Sequence, residues 1–182
     1  IDEKIANKIY DEMIDFAQYA FNKSHAAAYA YVTYQTAFLK YYYPVEYMAA
    51  LMTSVIDKPT KVAEYIQVCR QMNIPILPPD INKGEYGFSV SGGSILYALS
   101  AIKSVGRPVI EAIVAERKEH GEYLSVKNFI ERNMEAVNKR AIENFIKAGA
   151  LDCLEGNRHQ KMVVFGQIVD DISRNKKQSM AG

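Results

Sequence analysis

The sequence is short of cysteine and of long hydrophobic runs. Its two cysteines, Cys69 and Cys153, are far apart and form no Cys-x-x-Cys pair. This spacing argues against a zinc site or a disulfide framework and favours a reducing, cytoplasmic location. The apolar runs fall far short of the ~20 residues that a membrane-spanning helix needs, so we expect no membrane partner.

Motifs for catalysis are missing as well. The sequence contains no Gly-x-x-x-x-Gly-Lys-Ser/Thr loop and no Gly-x-Ser-x-Gly element. Its acidic residues do not suggest a two-metal site, and they mostly alternate with basic ones. In residues 116–119 this alternation predicts a solvated helix face. The sequence therefore predicts neither a catalytic residue nor a bound metal or other cofactor in this chain.

Charge of one sign is not in excess, since the formal net charge is only +1. Any contact with nucleic acid must therefore come from a local basic patch. The first residue is Ile1 rather than Met, and no signal-peptide pattern follows it. We accordingly expect a fragment of a longer protein.

Hydrophobic residues make up 49% of the chain, enough for a real core, and most of them recur at helical spacing. Four helices are predicted before residue 73, the third beginning at Pro44 and the fourth near Pro59. Three prolines make residues 74–80 an extended connector. Two β-prone runs around Gly92 and Gly93 predict a β-hairpin near residues 86–99. Short helices follow from residue 100. The predicted fold class is mainly α, with one small β-hairpin.

The segment Lys103-Ser104-Val105-Gly106-Arg107 predicts a tight turn between two short helices. Such a turn presents backbone N–H groups at a helix N-terminus, where a phosphate is favoured. Lys103 and Arg107 would add charged contacts. A plain helix-turn-helix connection explains the same residues.

A second turn of this kind is predicted at residues 147–151, after a helix over 137–146 that contains Lys139 and Arg140. A further helix is predicted to open at residues 157–161. Two such hairpins on one core could hold two phosphates of a duplex without reading its sequence. Judged alone, Lys139 and Arg140 equally fit a solvated helix face.

The third candidate is Asn22-Lys23-Ser24-His25, at the predicted start of a helix. Lysine and histidine beside a helix start suit a polyphosphate, because one supplies a point charge and the other a donor. A lone histidine on a helix surface is more often only a hydrogen-bonded side chain.

Seven blocks of the sequence, in this order, resemble the alpha subunit of bacterial DNA polymerase III. They are FNKSHAAAYA at 21–30, YQTA at 34–37, YPVEYMAAL at 43–51, ILPPDIN at 76–82, AIKSVG at 101–106, VNKR at 137–140 and IKAGALD at 146–152. Together they cover nearly the whole chain, to about residue 165. Agreement in order and spacing is far more specific than any one motif.

The resemblance implies a piece of a DNA-directed DNA polymerase, a nucleotidyltransferase that uses Mg²⁺ held by carboxylates of a palm domain outside this chain. It assigns residues 1–80 to a helical fingers lobe and 99–173 to a tandem helix-hairpin-helix module, joined by a connector with the hairpin at 81–98. The polar residues 174–182 are expected to form a frayed tail. The two hairpin elements would cover about residues 99–113 and 137–160.

The resemblance also implies roles for single residues and partners for the parent protein. Contacts with the incoming deoxynucleoside triphosphate would come from Lys23, Ser24 and His25. Contacts with primer–template duplex DNA would come from Lys103, Ser104, Gly106, Arg107, Lys139, Arg140, Lys147 and Gly149. The parent would bind a sliding clamp and other replisome subunits, whereas the fragment alone would be inactive.

Two positions depart from a strong helix-hairpin-helix turn, which has glycine, a hydrophobic residue and glycine. Ser104 occupies the position of the first glycine in the first turn, and Ala148 occupies a position where a glycine is expected in the second turn. The alternatives are a stand-alone helix-hairpin-helix module of repair or recombination without enzymatic activity, or an all-α interaction domain that binds no nucleic acid.

Overall fold

The computed structural model of the chain describes residues 2–18 and 23–180. In chain order its elements are α1 (Glu3–Gln18), α2 (Lys23–Tyr42), α3 (Pro44–Ser54), α4 (Pro59–Gln71), β1 (Ile76–Leu77), β2 (Ser89–Ser91), β3 (Ser94–Leu96), a single 3-10 turn (Leu99–Ala101), α5 (Arg107–His120), α6 (Val126–Asn133), α7 (Lys139–Ala148) and α8 (Arg158–Met180). The mainly α fold class is confirmed.

The predicted β-hairpin is also confirmed. β2 and β3 pair antiparallel, and Gly92 and Gly93 form the turn with positive φ angles of 55° and 78°. A third strand that the sequence did not predict, β1, pairs in parallel with β3 to give the order β1-β3-β2. It lies in the proline-rich connector, where the carbonyl of Pro75 accepts a hydrogen bond from Ile95 N–H at 2.9 Å. Proline prevents donation but not acceptance, so this connector can still pair.

The chain divides into two compact units, residues 1–43 and residues 44–182. In the first unit, α1 places Ile5, Ile9, Met13 and Phe16 on one helical face, and all four side chains are exposed. α2 has no buried residue among those described. Both segments are helices as predicted, and their described apolar side chains lie outside the core.

The second unit contains two hydrophobic clusters. The smaller one joins α3 and α4 to the sheet, around Met52, Cys69 and Ile95. The larger one joins the 3-10 turn and helices α5 to α8, around Ile113, Phe129 and Phe145. The aromatic rings of Phe129 and Phe145 meet edge to face at 6.0 Å. This larger cluster is the common core on which both predicted hairpins lie.

One charged residue on α5 is part of the interior, and here the sequence prediction was wrong. Arg117, in the segment predicted as a solvated face, is only 8% exposed. Its Nη1 donates to the carbonyls of Ile81 and Gly84, both at 2.9 Å. A buried guanidinium is tolerated when its donors are satisfied, and here it ties the segment between β1 and β2 to α5.

The described C-terminal segment continues α8 as far as Met180 rather than leaving the helix at Arg174. Ion pairs support its last turns, one between Arg174 and Asp171 on the same helix and one from Lys176 to Glu135 at 2.5 Å. The division by function into a fingers lobe, a connector, a hairpin module and a tail stays a prediction.

Candidate nucleic-acid interface

The first predicted hairpin is formed by the 3-10 turn, a loop and α5. Within the loop, Ser104 has a φ of +62°, in the left-handed region that favours glycine. Gly106 is the N-cap of α5 and has extended backbone angles, φ −79° and ψ 157°. The strained position of this turn is therefore Ser104, the residue that departs from the glycine pattern.

Gly106 leaves the N-terminus of α5 open. A β-carbon added there would meet only Pro108 Cδ, at an ordinary 3.7 Å, so neither φ nor crowding inside the chain requires glycine. In the first turn of α5, Pro108 has no N–H and Val109 N–H donates to Gly106 O at 3.1 Å, which leaves the N–H of Arg107 for a ligand. The helix dipole favours an anion beside it, and a missing side chain at the N-cap lets a phosphate come close.

Arg107 lies at this same helix start but already has partners. Its Nε contacts Glu111 Oε1 at 2.7 Å, and its guanidinium lies 4.7 Å from the ring centre of Tyr86. The hydrogen bond to Glu111 raises the pKa of Arg107 above its ordinary value. Arg107 is exposed, so both contacts hold the guanidinium in place without burying it.

The second predicted hairpin begins with α7 and ends it on a glycine. Asn138 caps the start of α7 by accepting the N–H of Ala141 at 2.9 Å. Gly149 ends the helix with a left-handed φ of +84°, and its N–H donates to Ile146 O. Ala148 is the last helical residue, so the glycine requirement falls on Gly149 and the alanine is ordinary.

An ion pair that the sequence pattern did not predict covers this turn. Arg158 Nη2 contacts Asp152 Oδ2 at 2.6 Å, and Arg158 Nη1 donates to the carbonyl of Lys147 at 3.4 Å. A β-carbon on Gly149 would lie 2.2 Å from Arg158 Nη2, so the guanidinium occupies the space that glycine leaves. The hydrogen bond from Arg158 lowers the pKa of Asp152.

The predicted opening of a helix near residue 157 is confirmed. Asn157 and Gln160 bond reciprocally, each side chain accepting the other's backbone N–H at 2.9 Å, which is a capping box. In the same turn Lys161 is only 2% exposed, and its Nζ donates to the carbonyls of Leu151 and Leu154, both at 2.8 Å. Lys161 therefore fixes the loop after Gly149 from inside.

The two hairpins meet through α7. The side-chain amide of Asn144 donates to the backbone carbonyl of Lys103 at 2.9 Å. Beside this bond, Lys103 and Lys147 line one cleft. Two predicted DNA-binding lysines, one from each hairpin, therefore lie on the same surface, with Gly149 two residues beyond Lys147.

Lys139 and Arg140 lie elsewhere, at the start of α7. Eight residues of helix separate Lys139 from Lys147, or about 12 Å along the axis. Lys139 Nζ is paired with Asp170 Oδ1 at 2.6 Å, whereas exposed Arg140 makes no ion pair with any described residue. Of the two, Arg140 is the cation available to a ligand without breaking an existing pair.

The third predicted group lies in the other unit. Lys23, Ser24 and His25 form the first turn of α2, and all three are exposed. The ring of His25 lies 4.3 Å from that of Tyr29, between centroids. Asn22, the fourth residue of the motif, lies outside the described residues.

Two further features concern metals and membranes. Among residues 2–18 and 23–180, no group of three or more histidine, cysteine or acidic side chains is arranged to hold a metal ion. The residues described here thus do not fit the Mg²⁺ that the resemblance implies for a palm domain. No described helix is both long and apolar enough to cross a membrane.

Comparison with known proteins identifies the hairpin region and extends beyond it. Residues 73–161 match the model of the helix-hairpin-helix motif family. The whole chain is 43% identical to a segment of DNA polymerase III subunit alpha from Chlamydia trachomatis and of that from Thermus aquaticus. With the Vibrio cholerae subunit it shares 46% identity over 98% of the chain. The chain spans about 15% of the length of each of these relatives.

Proposed function

Since the chain is homologous throughout its length to one segment of the bacterial DNA polymerase III alpha subunits, we propose that it is the substrate-holding segment of a replicative DNA polymerase. In this role residues 99–173 bind the primer–template duplex and the preceding lobe contacts the incoming nucleotide. The parent would be a DNA-directed DNA polymerase whose Mg²⁺ and catalytic carboxylates belong to a palm outside this chain. Its location would be cytoplasmic.

One observation carries the duplex-binding role: two helical hairpins lie on one hydrophobic core, and the first has a helix N-terminus left open at Gly106. Each turn has exposed cations beside it, Lys103 and Arg107 in the first and Lys147 in the second. Backbone N–H groups and cations contact phosphates, which carry no sequence information. We therefore propose binding without sequence preference.

The relatives also support this role over a stand-alone repair or recombination module. The helix-hairpin-helix family matches only residues 73–161, yet the similarity to the polymerase subunits includes the first 72 residues as well. A module that shared only its hairpins with these polymerases would match from about residue 73 onward. The first unit is therefore assigned to the polymerase together with the second.

A salt titration tests the proposal. Fluorescence anisotropy of the chain with labelled duplexes of unrelated sequence should give similar affinities at low salt. The logarithm of the association constant should fall linearly with the logarithm of salt concentration, by about 0.9 for each phosphate neutralised. Arg140→Gln should make that slope shallower by about one. Absence of binding at low salt, or binding insensitive to salt, would reject the proposal.

Gly106→Ala separates phosphate contact from folding. The added methyl has room in the free protein, so the midpoint of urea unfolding should stay nearly constant. It would stand between the helix N-terminus and a phosphate, so duplex affinity should fall several-fold, the loss of a charge-assisted hydrogen bond. Gly166→Ala on α8, where a β-carbon also has open space, is the matched control and should leave affinity unchanged.

The nucleotide role of Lys23, Ser24 and His25 is proposed for the parent enzyme and is tested there. Lys23→Ala or His25→Ala should lower kcat/KM for the incoming deoxynucleoside triphosphate while leaving the affinity for primer–template unchanged. An exposed helix start with lysine and histidine supports this role. Unchanged nucleotide kinetics in both variants would remove these residues from the site.

Binding of a sliding clamp and other replisome subunits is likewise assigned to the parent.

A further inference from the structure

The cleft between the two hairpins combines a charged side with an apolar side. It has a volume of about 480 Å³, and Pro79, Tyr97, Ile102, Lys103, Asn144 and Lys147 are among the residues that line it. This volume lies within the range of small-molecule sites, about 300–1,000 Å³, which are mostly apolar with a few polar groups. The cleft lies wholly within the second unit, and we name it the hairpin cleft.

The apolar side is held in place by the sheet. Tyr97 directly follows β3, and its N–H donates to Leu77 O at 3.1 Å. Its ring meets that of Phe88 edge to face at 5.1 Å, and it is only partly buried. A fixed aromatic ring with an accessible part is a stacking surface that any nucleobase can use.

The charged side is built from both hairpins. The side-chain amide of Asn144 donates to the carbonyl of Lys103 at 2.9 Å, and this bond fixes the first turn against α7. Lys103 is exposed, and Lys147 is paired with Glu143 in an exposed i,i+4 ion pair. Exposed pairs of this kind contribute at most about 1 kcal/mol, so Lys147 can exchange its partner for a phosphate.

We propose that the hairpin cleft binds one unpaired nucleotide of a DNA strand, with its phosphate at Lys103 and Lys147 and its base against Tyr97. This inference rests on the proposed function, because the adjoining duplex would lie on the hairpin turns. The base must be unpaired, since a base inside a duplex has both faces stacked on its neighbours. The site would therefore distinguish a duplex with an overhanging strand from a blunt duplex.

The same chemistry, a base with a phosphate, is present in a free mononucleotide. The strand is favoured as its source because the cations that line the cleft adjoin the turns proposed to hold the duplex. A neighbouring duplex would hold the overhang at a high effective concentration. The two sources are separated by competition with thymidine monophosphate.

The test compares two labelled DNAs by fluorescence anisotropy with the 182-residue chain: a blunt duplex and the same duplex with a three-thymine overhang. The overhang should tighten binding about tenfold, which is the scale of stacking one base on an aromatic side chain. Tyr97→Leu should abolish this preference, whereas Tyr97→Phe, which keeps the ring, should retain it. Urea unfolding of both variants establishes that the fold is intact.

Lysine variants locate the phosphate. Lys103→Gln and Lys147→Gln should reduce the preference for the overhang. Lys127→Gln is the matched control, because Lys127 is also exposed and also paired with a glutamate four residues away. It should leave the preference unchanged.

Each remaining outcome decides between the proposals. Equal, salt-dependent binding of blunt and overhanging duplexes would overturn the hairpin cleft while leaving duplex binding intact. No binding of either DNA would overturn both. A preference that survives Tyr97→Leu and both lysine variants would place the unpaired nucleotide elsewhere and reject the site. If micromolar thymidine monophosphate competes with the overhang, the cleft does bind a base with a phosphate. Its ligand is then a free nucleotide, and the proposed DNA strand is rejected.

Discussion

At the scale of single residues, the most informative position is Ser104. The sequence marks it as a departure from a glycine pattern, and the structure places it at a φ of +62°. For a residue with a β-carbon, this conformation costs of order 1 kcal/mol or more. The chain therefore accepts backbone strain in the turn beside the proposed phosphate contact.

Ser104→Gly should relieve this strain and raise the free energy of unfolding. Glycine adopts the left-handed region freely, although it also makes the unfolded chain more flexible, so the net gain is expected to be about 0.5–1 kcal/mol. Urea unfolding followed by circular dichroism measures it. Ser104→Ala keeps the β-carbon and should give no comparable gain. A Ser104→Gly variant less stable than the original would mean that the serine hydroxyl contributes more than the strain costs.

Asp152 makes the stability of the second hairpin depend on pH. Arg158 lowers the pKa of the folded Asp152 below its ordinary value of 3.8. The stabilisation is therefore fully present above pH 3.8 and is lost as the pH falls through the lower pKa of the folded state. Asp152→Asn should be less stable than the original chain in urea at pH 7. The difference should shrink as the pH falls below 3.8, and a gap that stays constant as the pH is lowered would contradict the ion-pair explanation.

Single residues also show the limit of sequence patterns. The place of Ser104 in a glycine turn and the helix start near Asn157 could both be predicted, because turn and cap chemistry is local. The burial of Arg117 and Lys161 was not readable. Each side chain donates to backbone carbonyls whose positions depend on packing. For Arg117 these are the carbonyls of Ile81 and Gly84. No spacing along the sequence marks such a partner.

At the scale of elements, the loop between α7 and α8 is held by one buried ammonium. Lys161→Met fills a similar volume but removes the donor to the carbonyl of Leu154, whereas the carbonyl of Leu151 keeps the N–H of Leu154 at 3.0 Å. Unsatisfied buried polar groups cost about 1–3 kcal/mol, and we expect a loss of that size in the free energy of unfolding. Lys127→Met, at an exposed position, should change it by less than about 0.5 kcal/mol. If both variants unfold alike, Lys161 is not the anchor of this loop.

Helix boundaries in this chain were well predicted where proline, glycine or a capping side chain marks them. Pro44 and Pro59 begin α3 and α4, and Gly149 ends α7. β1 was missed because its two residues carry no alternating pattern of their own. It becomes a strand only because β3 lies beside it.

At the scale of the whole molecule, the chain matches one part of much longer polymerase subunits, so the roles of holding DNA and of catalysis are expected to separate. The 182-residue chain, given Mg²⁺, a primed template and all four deoxynucleoside triphosphates, should not extend the primer. The reason is that the catalytic carboxylates are assigned to the palm, outside this segment. A gel-based primer-extension assay measures this, with a complete polymerase of the family as positive control. Extension by the purified chain would contradict the assignment.

The proposed DNA-binding site was only partly predictable from the sequence. The two turns and their cations are visible as motifs, but the eight predicted residues do not form one patch. Lys103 and Lys147 line one cleft, while Lys139 is about 12 Å from Lys147 along α7 and is paired with Asp170. Which cations face a ligand together depends on how the helices pack, and periodicity within one helix does not contain that information.

The sequence by itself determined the mainly α class, the β-hairpin, the two helical hairpins and the resemblance to the polymerase alpha subunit. These follow from local propensities, from turn residues and from ordered blocks along the chain. Only the tertiary structure decided that the connector adds a third strand, that Arg117 and Lys161 lie inside, and that Asn144 joins the two hairpins beside a shared cleft. The physical reason is that hydrogen bonds between residues as far apart as 36 and 41 positions depend on packing in three dimensions.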